Sequence, residues 1–276
     1  MDFFNSYFRF PRELTPIGAE TVFQVGSFPV TNTLLLEFLI ILILALFGGL
    51  VVSRFNVDNP SSFQNVVEWI YEAIVSFVDS VTGSAVVAKS VFPLVGSILV
   101  YLAIANLIGI IPGLTSVSYG QVALFRTPTT DFNTTLGLAI AVVLIAQIAS
   151  IQSYGIFGYL GRFFKFKGVY QGFKKSPMDG FIAIIEFLIG LLDIFAELAK
   201  VISLSFRLFG NMFAGEVLAV LILGSLAYFL PAVWLSMSIL FAAVQAIVFG
   251  ALAAVYYTLS LKPEEENIEV ATTWSR

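Results

Sequence analysis

Apolar runs of about twenty residues, separated by short polar stretches, set the pattern of this chain. The first covers residues 31–52, the second 91–111 and the third 133–156. At 1.5 Å of rise per residue, each is long enough to cross a hydrocarbon layer about 30 Å thick. Residues 60–83 differ. Val67, Ile70, Ile74, Phe77, Val78 and Val81 recur at helical spacing, while Gln64, Glu68, Glu72 and Asp79 fall on another face. That pattern predicts an amphipathic helix lying in the membrane interface. From residue 178 to about 223 no proline interrupts the apolar pattern, and a continuous helix of that length, about 68 Å, cannot stand upright in a bilayer. A second long apolar segment, residues 232–261, follows Gly224, Ser225 and Pro231. The pair reads as a long, steeply tilted antiparallel hairpin.

The resulting expectation is an all-α integral membrane protein with five membrane-passing helices and one interfacial helix. Residues 1–29 form an irregular lead-in, residues 30–262 a single membrane domain containing the hairpin at 178–261, and residues 263–276 a solvated tail. The first apolar run exceeds the roughly 7–15 residues of a signal peptide's apolar region. Five cations, Arg162, Lys165, Lys167, Lys174 and Lys175, crowd the loop at 161–176. The positive-inside rule puts that loop and Arg54 in the cytoplasm, the N-terminus outside and the C-terminus inside.

Composition supports the same class. Hydrophobic residues make up 58% and charged residues 12%, where soluble domains carry about 25% charged. A net charge of −4 excludes a basic nucleic-acid surface. With no His and no Cys, imidazole catalysis, disulfides and Cys/His metal sites are excluded. Neither a nucleophile–base set, a phosphate loop nor a metal cluster appears, so no catalytic site, cofactor or metal is expected on this chain.

Ionisable residues at membrane depth are costly, and each is a functional candidate. The hairpin holds Glu186, Asp193, Glu197, Lys200, Arg207 and Glu216. Arg207 stands in an otherwise uncharged stretch and cannot lose its proton. On one helix Glu197 lies about 15 Å behind it and Glu216 about 13 Å ahead on the opposite face. Asn211, four residues on, shares its face. A permanent cation without a local anion fits two readings: a guanidinium snorkelling to carbonyls or an interface, and one that meets an anion brought by another chain. In the second helix Ser238 and Gln245 share a face, and one antiparallel register sets Gln245 opposite Arg207 and Ser238 opposite Glu216. Ala242, Ala246, Gly250 and Ala254 form a small-residue stripe that would either pack the chain against itself or let a partner helix slide past. Asp193 and Glu197 lie on the basic-loop side of Arg207 and Glu216 on the turn side, a division suited to two wet half-paths kept apart by a fixed positive charge. Lys200 could instead neutralise one of the inner acids.

The stretch Ser203-Leu-Ser-Phe-Arg-Leu-Phe-Gly-Asn-Met-Phe-Ala-Gly-Glu216 closely resembles the arginine signature of F-type ATP synthase subunit a. Residues 240–256, the run Asn106-Leu-Ile-Gly-Ile-Ile-Pro112 and the run Pro128-Thr-Thr-Asp-Phe-Asn-Thr-Thr-Leu136 resemble further motifs of that family, and the likeness extends over about residues 30–262. The resemblance implies a stator subunit that carries protons or sodium ions, with Arg207 facing the carboxylates of a c-subunit ring and peripheral-stalk b subunits as further partners. It implies that Asn211, Glu216 and Gln245 line an outer half-channel or support the arginine, that Asn106 is polar lining and that Asp193 serves an inner path. Ser238 departs from relatives that place a histidine there, which shifts the burden onto Glu216 and water. A bacterial plasma membrane is the expected location. Two other classes remain open from sequence: a stand-alone secondary transporter binding an anion at Arg207, and a purely structural membrane scaffold.

Overall fold

The computed structural model describes residues 18–111, 114, 117–119, 122–225 and 230–261. The expected acidic tail at 263–276, most of the N-terminal lead-in and the turn residues 226–229 lie outside them.

Part of the lead-in is ordered as a β-ribbon, where the sequence reading expected irregular chain. Strand β1 (Thr21–Val25) pairs antiparallel with β2 (Phe28–Thr31), and Val25 faces Phe28. The two-residue connection begins at Gly26 with φ 65°, the residue that a tight hairpin turn needs at its first central position. The ribbon is tied to the first helix. Asn32 donates its backbone N–H to Glu20 O at 3.0 Å, and its Oδ1 accepts from the N–H of Glu20 and of Thr33. A second small ribbon pairs β3 (Ser118–Tyr119) with β4 (Val122–Ala123).

Helix α1 (Asn32–Ser53) starts at a Thr31 cap whose hydroxyl accepts from Leu34 N–H. It exposes Ile41, Leu42, Ile43, Leu46, Phe47 and Leu50, a surface suited to lipid and not to water. Helix α2 (Ser62–Thr82) is the expected amphipathic segment, capped by Ser61. Helix α3 (Ala85–Ile110) begins six residues before the expected crossing, at 85 instead of 91, and carries Pro93 inside it. Helix α4 (Phe132–Phe163) breaks at Gly155, whose φ 72°, ψ 162° is a conformation open only to glycine. The 23 or so residues before the break span about 34 Å, one bilayer core. The basic stretch read as a loop instead forms a ten-residue helix, α5 (Phe166–Lys175). Helices α6 (Pro177–Ser225) and α7 (Leu230–Ser260) complete the order.

Four of these helices are long and apolar enough to cross a membrane: Asn32–Ser53, Ala85–Ile110, Phe132–Phe163 and Ala232–Ser260. The chain is thus a helical integral membrane protein. Its main core draws on five helices, with Val78 of α2 and Val91, Val95 and Leu102 of α3 joining Val142 of α4, Leu204 and Leu208 of α6 and Phe249 of α7. That packing fixes which way α6 faces.

Candidate functional site

Leu204 and Leu208 are buried completely, so they anchor α6 inward. Buried Ser205 widens that inward face, and at 100° per residue Arg207 lies about 100° from Leu208 and about 160° from Ser205, outside it. Its side chain is exposed, and its Nη2 donates to Ser203 Oγ at 3.5 Å, one turn back. The ion pair present among the described residues joins Lys200 to Glu197 at 2.7 Å; none of their carboxylates pairs with Arg207. The same exposed face carries Ala199, Ser203, Gly210 and Ala214, and a Cβ placed on Gly210 would touch nothing within 4 Å. Backbone-close approach to the guanidinium is therefore open from outside the chain. Sequence reasoning missed this face, although the spacing of small residues either side of Arg207 was there to find.

The small-residue stripe of the second hairpin helix, which the sequence left open between self-packing and a sliding partner helix, lies elsewhere. Ala242, Ala246, Gly250 and Ala254 are all buried, and a Cβ on Gly250 would sit 2.8 Å from Leu99 Cγ. Asn106 Nδ2 reaches Ala242 O at 3.4 Å. The stripe lets α3 approach α7 inside the chain, so it does not present itself to a partner.

Next to Arg207, Asn211 Nδ2 donates to Gln245 Oε1 at 2.7 Å, linking α6 to α7. The sequence register had set Gln245 opposite Arg207; the actual contact is one turn further along. Depth along a helix follows from residue numbers, but the direction a side chain points is set by the core, and the core turns Arg207 away.

Beyond that link lies a cavity of about 220 Å³, walled by α3, α6, α7 and the turn at Pro128–Thr130. Asn106, Thr127, Thr130, Asn211, Glu216, Trp234 and Ser238 all line it, so the structure gathers seven polar side chains in one place, four of them singled out from sequence. Glu216 Oε2 and Trp234 Nε1 are buried there without a protein hydrogen-bond partner. A buried carboxylate oxygen and indole N–H left so are costly unless water reaches them. The volume holds several waters at about 30 Å³ each. Ser238 Oγ donates to Trp234 O at 2.9 Å, within its own helix. Asn106 is fully buried; its Oδ1 accepts from Thr129 Oγ1 at 2.8 Å, so it clamps the 128–130 turn to α3 as well as facing the cavity. Arg126 is buried and structural, donating to Gly18 O at 2.6 Å and to Thr130 O at 3.2 Å.

On the other side of Arg207 the two acids differ. Asp193 is exposed; Glu197 is half-buried and engaged by Lys200, whose Nζ also lies 5.3 Å from the Tyr256 ring centroid. The pairing gives Glu197 a structural role of the kind foreseen for one of these acids. A further intramembrane carboxylate escaped sequence reasoning: Glu37 in α1 accepts from Tyr101 OH of α3 at 3.3 Å. Its signal was a lone acid inside the first apolar run.

Comparison with known proteins bears on this arrangement. The family described as ATP synthase A chain matches residues 34–258. ATP synthase subunit a of Desulforamulus reducens is 32% identical over 233 residues, covering 82% of this chain and 77% of that one. The subunit a of Moorella thermoacetica is 27% identical over 243 residues, covering 88% and 96%. A sodium-ion-specific subunit a from Propionigenium modestum is 30% identical over 257 residues, covering 91% and 81%.

Proposed function

The chain belongs to the ATP synthase A chain family, and on that premise we propose that it is the ion-translocating stator subunit of a rotary F-type ATP synthase, with Arg207 as the fixed charge facing a ring of c subunits. The observation that carries this reading is the exposed guanidinium of Arg207, open on a small-residue face and unpaired with any carboxylate among the described residues. A cation at membrane depth is expensive unless an anion reaches it, and here the anion is supplied by the ring.

The path has two halves. The outer half is the cavity holding Glu216, Ser238, Asn106 and Asn211, with Gln245 buttressing Asn211. The inner half runs past Asp193, with Glu197 held at its edge by Lys200. Between them, Arg207 favours the ionised form of an arriving carboxylic acid and makes it release its ion, because an opposite charge stabilises the carboxylate. The same charge repels a cation passing directly between the halves. The carried ion is a proton or a sodium ion.

This role requires five passages, with α6 as the fifth. At 49 residues α6 is about 74 Å long, so it crosses the membrane steeply tilted and forms with α7 the antiparallel hairpin. The N-terminus then lies outside and the C-terminus in the cytoplasm, with b subunits of the peripheral stalk as lateral partners and a bacterial plasma membrane as the setting. Catalysis of nucleotide chemistry falls to other subunits.

Disulfide cross-linking tests the reading, helped by the absence of native cysteines. A Gly210→Cys or Ala214→Cys chain in the assembled complex should couple to a cysteine placed beside the ring carboxylate. A stand-alone carrier binding an anionic substrate at Arg207 would give no such cross-link and would bind the anion as an isolated chain.

A further inference from the structure

The basic stretch at 161–176 holds five of the chain's 14 Lys and Arg residues and no acid, and the ion path uses none of them. We propose that α5 is a phospholipid-binding helix that lies in the headgroup layer, seats an acyl chain against its aromatic face and holds an anionic headgroup with Lys167 and Lys174.

The helix has the distribution this needs. At about 100° per residue, Phe166, Val169, Tyr170 and Phe173 fall within an arc of about 100°, and Lys174 and Lys167 follow about 40–60° beyond Tyr170. Cations that border an apolar arc can reach a phosphate while their stems stay along the apolar surface. Phe166 is 64% exposed and Tyr170 74%. Three aromatic rings left open in water would be unfavourable, whereas the same rings at the bilayer boundary are in their preferred place.

The face is also held in a set orientation. A Cβ on Gly172 would sit 2.7 Å from Asp179 O, and one on Gly180 2.5 Å from the Phe173 ring, so two glycines bring α5 tightly against the first turns of α6. The Phe166 and Phe187 rings meet at 5.0 Å. Together Phe166, Tyr170, Phe173, Ile184 and Phe187 wall an open apolar groove of about 480 Å³ between the two helices. Exposed Leu188, one turn beyond Ile184 on α6, continues the groove's apolar wall along the surface of the chain.

Acidic groups do not cancel the charge on the lipid flank. Asp179 and Glu186 gather with Lys175 and Gln171 around a separate polar depression on the other side of α5. Lys167 and Lys174 form no ion pair among the described residues, and Arg162 is turned away, donating to Ser150 Oγ at 2.8 Å. An anionic phospholipid therefore complements the groove and its border: acyl chain in the groove, phosphate at the two lysines.

The test uses the full chain, assembled in its complex and reconstituted into vesicles. Tyr170→Cys and Gln171→Cys each carry a small environment-sensitive fluorophore. Vesicles of phosphatidylcholine contain a minor fraction of phosphatidylglycerol, with bromine on the acyl chains of one lipid or the other. The Tyr170→Cys label should be quenched by brominated lipid and protected from aqueous iodide, and the Gln171→Cys label the reverse. Brominated phosphatidylglycerol should quench more efficiently than phosphatidylcholine by about fivefold for each lysine near the surface. The K167Q/K174Q pair should abolish that preference while lipid quenching persists, which also shows that the helix still folds. Iodide quenching at position 170, equal quenching by the two lipids, or shielding from both quenchers by a protein partner would each overturn the proposal.

Discussion

Asn211 of α6 and Gln245 of α7 are joined by a 2.7 Å hydrogen bond, one helical turn from the exposed Arg207. Gln245 is nearly fully buried, so its amide is a fixed post, whereas Asn211 stands at the edge of the open face. The bond therefore sets the rotation of α6 about its axis where that rotation decides which way the guanidinium points.

Replacing either partner should weaken transport through this shared bond. Asn211→Leu and Gln245→Leu should each slow ion translocation by about fivefold, the worth of one hydrogen bond of about 1 kcal/mol. The double variant should be hardly slower than either single one. Rates of ATP-driven ion uptake in proteoliposomes would show this, and additive losses would mean that the two side chains act separately.

Accessibility should separate the cavity from the buried stripe. In a chain without native cysteines, Ser238→Cys and Glu216→Cys should react with a membrane-impermeant thiol reagent. Ala246→Cys and Ala254→Cys, packed inside the core, should not react in the folded complex. Mass-spectrometric labelling from each side of the vesicle measures both the reactivity and the side from which the cavity opens.

Inner-side acids should not be equivalent. Asp193→Asn should slow transport several-fold, because that carboxylate is exposed and has no ion pair among the described residues. Glu197→Gln should act mainly on stability, since it releases Lys200 from a half-buried pair, at a cost of about 1 kcal/mol. Transport assays alongside thermal unfolding of the purified complex distinguish the two effects.

Gly250 should tolerate no larger side chain. Gly250→Leu would force its side chain into Leu99 and cost about 1–3 kcal/mol by overpacking. Leu99→Ala added to it should restore part of the loss. Complex yield and unfolding temperature report both outcomes, and tolerance of Gly250→Leu alone would show that α3 and α7 do not meet there.

Much of this architecture was legible because lipid imposes simple rules. Span length, the amphipathic period of α2 and the excess charge on α6 all follow from hydropathy and helical spacing. Azimuth was not legible. The stripe from Ala242 to Ala254 and the face from Ala199 to Ala214 carry the same small-residue signal, and only the packing of Leu99 against Gly250 shows which is buried and which is open. Similarly, residue numbers set Arg207 and Gln245 at nearly the same depth, but Leu204 and Leu208 turn the arginine outward and leave Asn211 to make the bond. The Gly155 break and α5 were hidden because a single glycine in an apolar run and a cluster of lysines each read more simply as helix and loop.

The most direct test of the account is ion transport by the reconstituted complex carrying Arg207→Ala. ATP-driven ion uptake and gradient-driven ATP synthesis should both fall to background, while the ring and this chain still co-purify in normal amounts. Coupled transport at the unaltered rate in that variant would contradict the claim that a lone guanidinium, answered by a carboxylate from the neighbouring ring, is what makes the chain work.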